Sequence, residues 1–128
     1  MKKILIIILT LLGINGCMNA KTKSYVNMDV ERFAEYLTNN SVQLLDVRTP
    51  EEYAEGHIAG SRNINVFDSD FIDEAEKTLD KSKPVAVYCR SGKRSADAAR
   101  ELSDIGFNVV NLEGGILAWE EHHQPISK

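Results

Sequence analysis

The stretch Val85-Ala86-Val87-Tyr88-Cys89-Arg90-Ser91-Gly92-Lys93-Arg94-Ser95 joins two patterns of different period. Residues 85–88 form a short apolar run behind the Lys83-Pro84 turn, the signature of a buried strand. Further on, Ala98, Leu102 and Ile105 recur on one side of a helix. Residues 95–105 therefore read as an amphipathic helix, and Gly106 supplies its C-terminal stop. Residues 89–94 are left as the loop between the two. A buried strand feeding a helix through a short loop is half of a parallel crossover unit.

The same alternation extends in both directions. Asp29 is placed to cap a helix running to about residue 38, with Met28 and Phe33 as a hydrophobic staple. Residues 42–47 are a second apolar run. Thr49-Pro50-Glu51-Glu52 is a capping box with proline at the first helical position, and Gly56 is placed to end that short helix. Residues 63–66 read as a strand, and Asp68 or Ser69 can cap a helix reaching about residue 79. After the central unit, residues 108–112 form the last strand. Gly114-Gly115 is a turn, and residues 116–122 a terminal helix. The expected fold is α/β: a mainly parallel sheet of about five strands with helices on both faces, three layers in all. In such sheets ligands bind beyond the carboxyl ends of the strands, where Cys89 lies.

The chain has 128 residues, enough for one domain with its own core. Its start has a different character. Lys2 and Lys3 precede an apolar run at residues 4–14, too short to span a bilayer and of the length of a signal-peptide core. The run ends in Ile14-Asn15-Gly16-Cys17, which resembles a bacterial lipobox, although Asn15 is more polar than that position usually is. The expected organisation is a lipoprotein-type signal peptide at 1–17 with Cys17 lipidated, and a tether at 18–25. The domain follows at 26–122, and a C-terminal tail at 123–128. This places the protein outside the cytoplasm, on the periplasmic or cell-surface side of a bacterial membrane. A plain secretory signal or an uncleaved anchor is the competing reading.

The whole chain carries a formal charge of −4. Loss of residues 1–17, with two lysines and no acid, leaves 13 basic against 19 acidic residues, a charge of −6. That balance argues against nucleic acid as a partner. Within this acidic chain Arg90, Lys93 and Arg94 fall close together, a local cationic site suited to a small anion. With Cys17 assigned to lipidation, Cys89 is the only other cysteine. An unpaired cysteine in an exported chain is either a reactive thiol or an inert core residue. Its surroundings favour the first. A helix start offers free N–H groups and a positive dipole end. Gly92 permits a tight loop whose amides can turn inward, and three basic side chains add charge. All of these favour the thiolate, the nucleophilic form.

The run Cys89-Arg90-Ser91-Gly92-Lys93-Arg94-Ser95 resembles the active-site loop of small single-domain members of the rhodanese family. Asp46-Val47-Arg48-Thr49-Pro50-Glu51-Glu52-Tyr53 with Gly56-His57-Ile58-Ala59-Gly60-Ser61 is similar to the family's first signature. Leu112-Glu113-Gly114-Gly115 with Trp119 is similar to its last. The resemblance covers about residues 28–120. It implies a rhodanese-like fold and a sulfurtransferase working in two halves. Cys89 would take sulfane sulfur from thiosulfate or a similar anionic donor as a persulfide, then pass it to cyanide or a thiol. It implies no cofactor and no metal. The loop N–H groups would stabilise the persulfide, Arg94, with Arg90 and Lys93 less directly, would hold the donor, and Ser91, Gly92 and Ser95 complete the substrate-binding loop.

Each residue also has a plainer reading. Arg94 can be tied to a carboxylate that shapes the loop, and Lys93 can be a solvated charge. Asp46 and Arg48 can line the pocket, but a structural ion pair is favoured, since buried charges usually survive by pairing. A preformed thiolate needs no base, so His57 reads as a packing residue. His122 and His123 read as solvated, two adjacent histidines being insufficient for a metal site. Two other functions compete. Dual-specificity phosphatases of the cell-cycle type share the fold but place five residues between Cys and Arg; here there are four, and Tyr88 stands where they have His. A persulfide relay or binding module for a partner protein at the membrane is the other.

Overall fold

The computed structural model describes residues 25–128. The proposed signal peptide, Cys17 and nearly all of the proposed tether lie outside the described residues. Five strands and five helices alternate: β1 (Val26–Met28), α1 (Val30–Tyr36), β2 (Gln43–Asp46), α2 (Pro50–Glu55), β3 (Arg62–Asn63), α3 (Phe71–Thr78), β4 (Val85–Tyr88), α4 (Lys93–Asp104), β5 (Val109–Leu112) and α5 (Gly115–Glu121). The strands form one sheet in the order β1-β5-β4-β2-β3. Every pairing in it is parallel, as strand-helix alternation requires.

Side chains alternate across the strands, so each face of the sheet has its own core. Val85, Val87 and Cys89 point with Leu45, Val47 and Val109 toward Phe71 and Ala75 of α3 and Ala98, Ala99 and Leu102 of α4. Ala86, Tyr88, Leu44, Val110 and Leu112 point the other way, onto Val30 and Phe33 of α1 and Ile116 and Trp119 of α5. This is the expected three-layer arrangement. The alternation also sends Cys89 and Tyr88 to opposite faces.

Local signals set most element starts. The Asp29 side chain accepts the Arg32 N–H at 2.9 Å, and Met28 packs against the cluster that holds Phe33. Thr49 and Glu52 form both halves of the capping box. Several boundaries differ from the sequence reading. α4 begins at Lys93, not Ser95, because Gly92 takes a left-handed conformation at φ 104° and turns the chain directly into the helix. α3 begins after Asp70, which makes no side-chain cap, rather than after Asp68 or Ser69. The third strand pairs only at Arg62–Asn63, although the Ile64 and Val66 amides still reach the carbonyls of Asp46 and Val47. The last residues are docked on the domain: His57 and Ser127 exchange two backbone hydrogen bonds, and the Trp119 indole N–H donates to the Pro125 carbonyl at 2.9 Å. No helix among the described residues is long and apolar enough to cross a membrane.

Candidate active site

Cys89 follows the last residue of β4, the middle strand of the sheet, and its side chain is fully buried. The Gly92 N–H donates to its Sγ at 3.1 Å. Gly92 also caps α4, a 12-residue helix, so the sulfur lies beside a helix N-terminus.

Two carbonyls at the start of the loop are held from behind. The Ile116 N–H donates to the Cys89 carbonyl at 2.9 Å, and the Leu117 N–H to that of Arg90 at 3.1 Å. These donors belong to the first turn of α5, whose amides have no partners within their own helix. No peptide bond among the described residues is cis. In a trans peptide the C=O and N–H point in opposite directions. Carbonyls drawn toward α5 therefore turn the N–H groups of Arg90 and Ser91 away from it, toward the inside of the loop. Gly115 makes the close approach possible: a β-carbon there would overlap the Arg90 carbonyl and lie 2.7 Å from that of Cys89. The Gly114-Gly115 turn is thus the back wall of the loop, a role its sequence alone did not disclose.

Ser95, in the first turn of α4, is fully buried, and its hydroxyl has no protein partner. Ser91, Arg90 and Lys93 are exposed, and neither cation forms an ion pair among the described residues.

Arg94 is committed elsewhere than to open solvent. Its guanidinium forks onto Glu52 at 2.8 and 2.9 Å and lies 5.4 Å from the centre of the exposed Phe67 ring. Glu52 also accepts the Thr49 N–H at 3.0 Å. The Arg94 hydrogen bonds, helped by Thr49 and opposed by partial burial, hold the Glu52 carboxyl down at about 2. The plainer reading of Arg94, a cation tied to a carboxylate, describes this geometry. The partner was missed because in the sequence Glu52 reads only as the cap of α2.

Arg48 pairs with Asp46 instead, at 2.6 Å. Its guanidinium also donates to the Gly56 carbonyl at 2.7 Å, fixing the end of α2. Asp46 is fully buried and accepts the Arg48 backbone N–H as well. This is the structural pair that the sequence favoured. Behind it, the buried Tyr88 hydroxyl accepts the Ile58 N–H at 3.0 Å and meets the Ser61 hydroxyl at 3.1 Å. Burial, reinforced by the nearby Asp46 carboxylate, pushes the phenol up and keeps it neutral. His57 stacks on Tyr53 with ring centres 3.8 Å apart, and its Nδ1 donates to the Tyr53 carbonyl at 2.9 Å, a packing role. His122 and His123 are exposed. Among the described residues no three His, Cys, Asp or Glu side chains group as a metal site. A cavity of about 220 Å³ adjoins the loop between α2 and α5, with Arg90 and Leu117 among its walls.

The rhodanese-like domain profile matches residues 29–122. Thiosulfate sulfurtransferase 18 of Arabidopsis thaliana is 32% identical, with 85% of this chain and 88% of that protein covered. Thiosulfate sulfurtransferase GlpE of Shewanella oneidensis is 34% identical over 77% of this chain and 95% of its own length. Among solved structures, a rhodanese-related protein from Thermoplasma volcanium superposes with a TM-score of 0.71 at 38% identity, covering 80% of this chain and 98% of that one. The match over most of the domain, together with a cysteine loop at the end of the middle strand, shows that this chain belongs to the rhodanese-like domain family.

Proposed function

We propose that the protein is a sulfurtransferase that carries sulfane sulfur as a persulfide on Cys89. The observation that carries this reading is the Gly92 N–H on the Cys89 Sγ, in a loop whose carbonyls are turned outward onto α5. Amides turned inward beside a helix start stabilise negative charge on sulfur. In the first half-reaction the Cys89 thiolate attacks the outer sulfur of a thiosulfate-type donor. A Cys–S bond forms, the S–S bond of the donor breaks, and sulfite leaves with the electron pair. In the second, a thiolate or cyanide attacks the outer sulfur and returns the pair to Cys89. Splitting the transfer this way avoids a direct encounter of donor and acceptor. No general base is required, in keeping with the packed state of His57. The buried Ser95 hydroxyl, which has no protein partner, is assigned here as a further donor to the transferred sulfur.

We also propose that Cys17 carries a lipid and holds the domain on the outer side of a bacterial membrane, a reading that rests on the N-terminal sequence alone. The enzymatic reading is tested by thiocyanate formation from thiosulfate and cyanide. Turnover is expected for the protein and not for Cys89→Ser; equal turnover by both would overturn it.

A further inference from the structure

Arg94 is held by two residues that lie outside the Cys89 loop. Glu52, in the first turn of α2, is itself fixed: its Oε1 accepts the Thr49 N–H at 3.0 Å and the Thr49 hydroxyl at 3.1 Å. From there its carboxylate forks onto the Arg94 guanidinium at 2.8 and 2.9 Å. Phe67 is 67% exposed, and the Arg94 cation lies over its ring, 5.4 Å from the centre, an attractive arrangement.

Arg94 belongs to the first turn of α4, two residues after Gly92, whose N–H donates to the Cys89 Sγ. Its guanidinium is raised above the ordinary value by the Glu52 hydrogen bonds first, against partial burial, and then by the charges of Glu52 and Cys89. The sulfur is thus within its electrostatic reach. A guanidinium has five N–H groups, and the fork uses two of them, so three remain for an anion. A long side chain pinned in this way is ordered before its ligand arrives, which lowers the cost of binding. The Glu52 carboxylate also repels an anionic ligand. It is 27% exposed and already faces a cation, so that repulsion is screened.

We propose that Glu52 and Phe67 are positioning residues: they hold Arg94 beside the Cys89 loop so that its free N–H groups receive the oxyanion end of the sulfur donor. The assignment rests on the sulfurtransferase reading. It concerns the donor half of the reaction, because cyanide and a simple thiolate bring no oxyanion to the guanidinium.

The test separates the two halves on the purified protein, with rates taken per folded molecule. Persulfide formation is followed by intact mass at limiting thiosulfate, and its discharge with cyanide. Glu52→Gln keeps a capping partner for Thr49, since glutamine serves that position as glutamate does, but it loses the charged fork. It is expected to load roughly tenfold more slowly, the scale of a hydrogen bond to a charged group, and to discharge within about twofold of the parent. Phe67→Ala is expected to load about threefold more slowly, the scale of an exposed cation–π contact. In an Arg94→Met background, adding Glu52→Gln is expected to change loading by less than about twofold, because Glu52 acts through Arg94. Thr49→Ala weakens the cap and leaves the fork, so its loading is expected within about twofold of the parent. Loading by Glu52→Gln or Phe67→Ala at the parent rate or faster would overturn the assignment and leave the sulfurtransferase reading standing. So would equal slowing of loading and discharge, an additive effect in the Arg94→Met background, or a tenfold loss in Thr49→Ala, on the scale set above. Failure of the parent to take up sulfur on Cys89 would remove the sulfurtransferase reading and the assignment together.

Discussion

Gly115 stands against the carbonyl of Arg90 with no room for a β-carbon between them. The contact lets the first turn of α5 take the carbonyls of Cys89 and Arg90, which leaves the amides of the loop free for sulfur. Gly115 also has a positive φ of 62°. Gly115→Ala is therefore expected to destabilise the fold by about 2 kcal/mol or more, from left-handed strain and the clash together. The folded fraction is expected to load sulfur far more slowly than the parent. Urea unfolding and the rate of persulfide formation measure the two effects separately.

Ser95 gives the opposite combination. Its hydroxyl is buried without a partner, so its removal costs no protein hydrogen bond. Ser95→Ala is expected to leave stability unchanged or raise it by up to about 1 kcal/mol, since an unsatisfied group is removed and alanine favours the helix. Sulfur transfer is expected to slow by roughly tenfold, the scale of one hydrogen bond to a charged group. A slower transfer on an equally stable protein separates a role in the chemistry from a role in folding.

The Asp46–Arg48 pair is buried and tied to the Gly56 carbonyl. Asp46→Ala leaves a guanidinium in the core without its carboxylate, and a loss of about 3–5 kcal/mol is expected. Loading per folded molecule is expected to stay within a few-fold of the parent. A loss of loading without a loss of stability would instead place the pair in the chemistry.

Arg94 and Glu52 predict a pH dependence. The carboxyl of Glu52 is held at about 2 against an ordinary value of 4.5. A depressed acid contributes its full stabilisation above the unfolded value and loses it as pH falls toward the folded one. The pair's contribution is therefore expected intact above about pH 4.5 and to fade down to about pH 2. Both side chains keep part of their surface in solvent, at 21% and 27% exposure. The size is accordingly on the order of 1–2 kcal/mol. Glu52→Gln, compared with the parent by urea unfolding at pH 6 and pH 3, is expected to show a gap that narrows at the lower pH.

Much of this architecture is readable in the chain because its signals are local. The capping box at Thr49 and Glu52, the cap at Asp29 and the apolar run of β4 each act within a few residues. The start of α4 was less legible, since Lys93 and Arg94 read as loop charges until the left-handed Gly92 is seen to open the helix before them. β1 gave no pattern of its own: its first two residues are exposed, and its place is set by pairing with β5, more than 80 residues away. The same holds at the site. Cys89 and its basic neighbours are contiguous and stand out. The Glu52–Arg94 fork joins residues 42 apart, and the backing of the loop by α5 depends on main-chain groups of Ile116 and Leu117, which no side-chain pattern marks.

A persulfide on Cys89 is tested by the intact mass of the protein after incubation with thiosulfate, beside Cys89→Ser. A gain of one sulfur atom is expected on the parent alone, removed by cyanide. No gain on a parent whose Cys89 thiol is shown to be free, or an equal gain on Cys89→Ser, would contradict it.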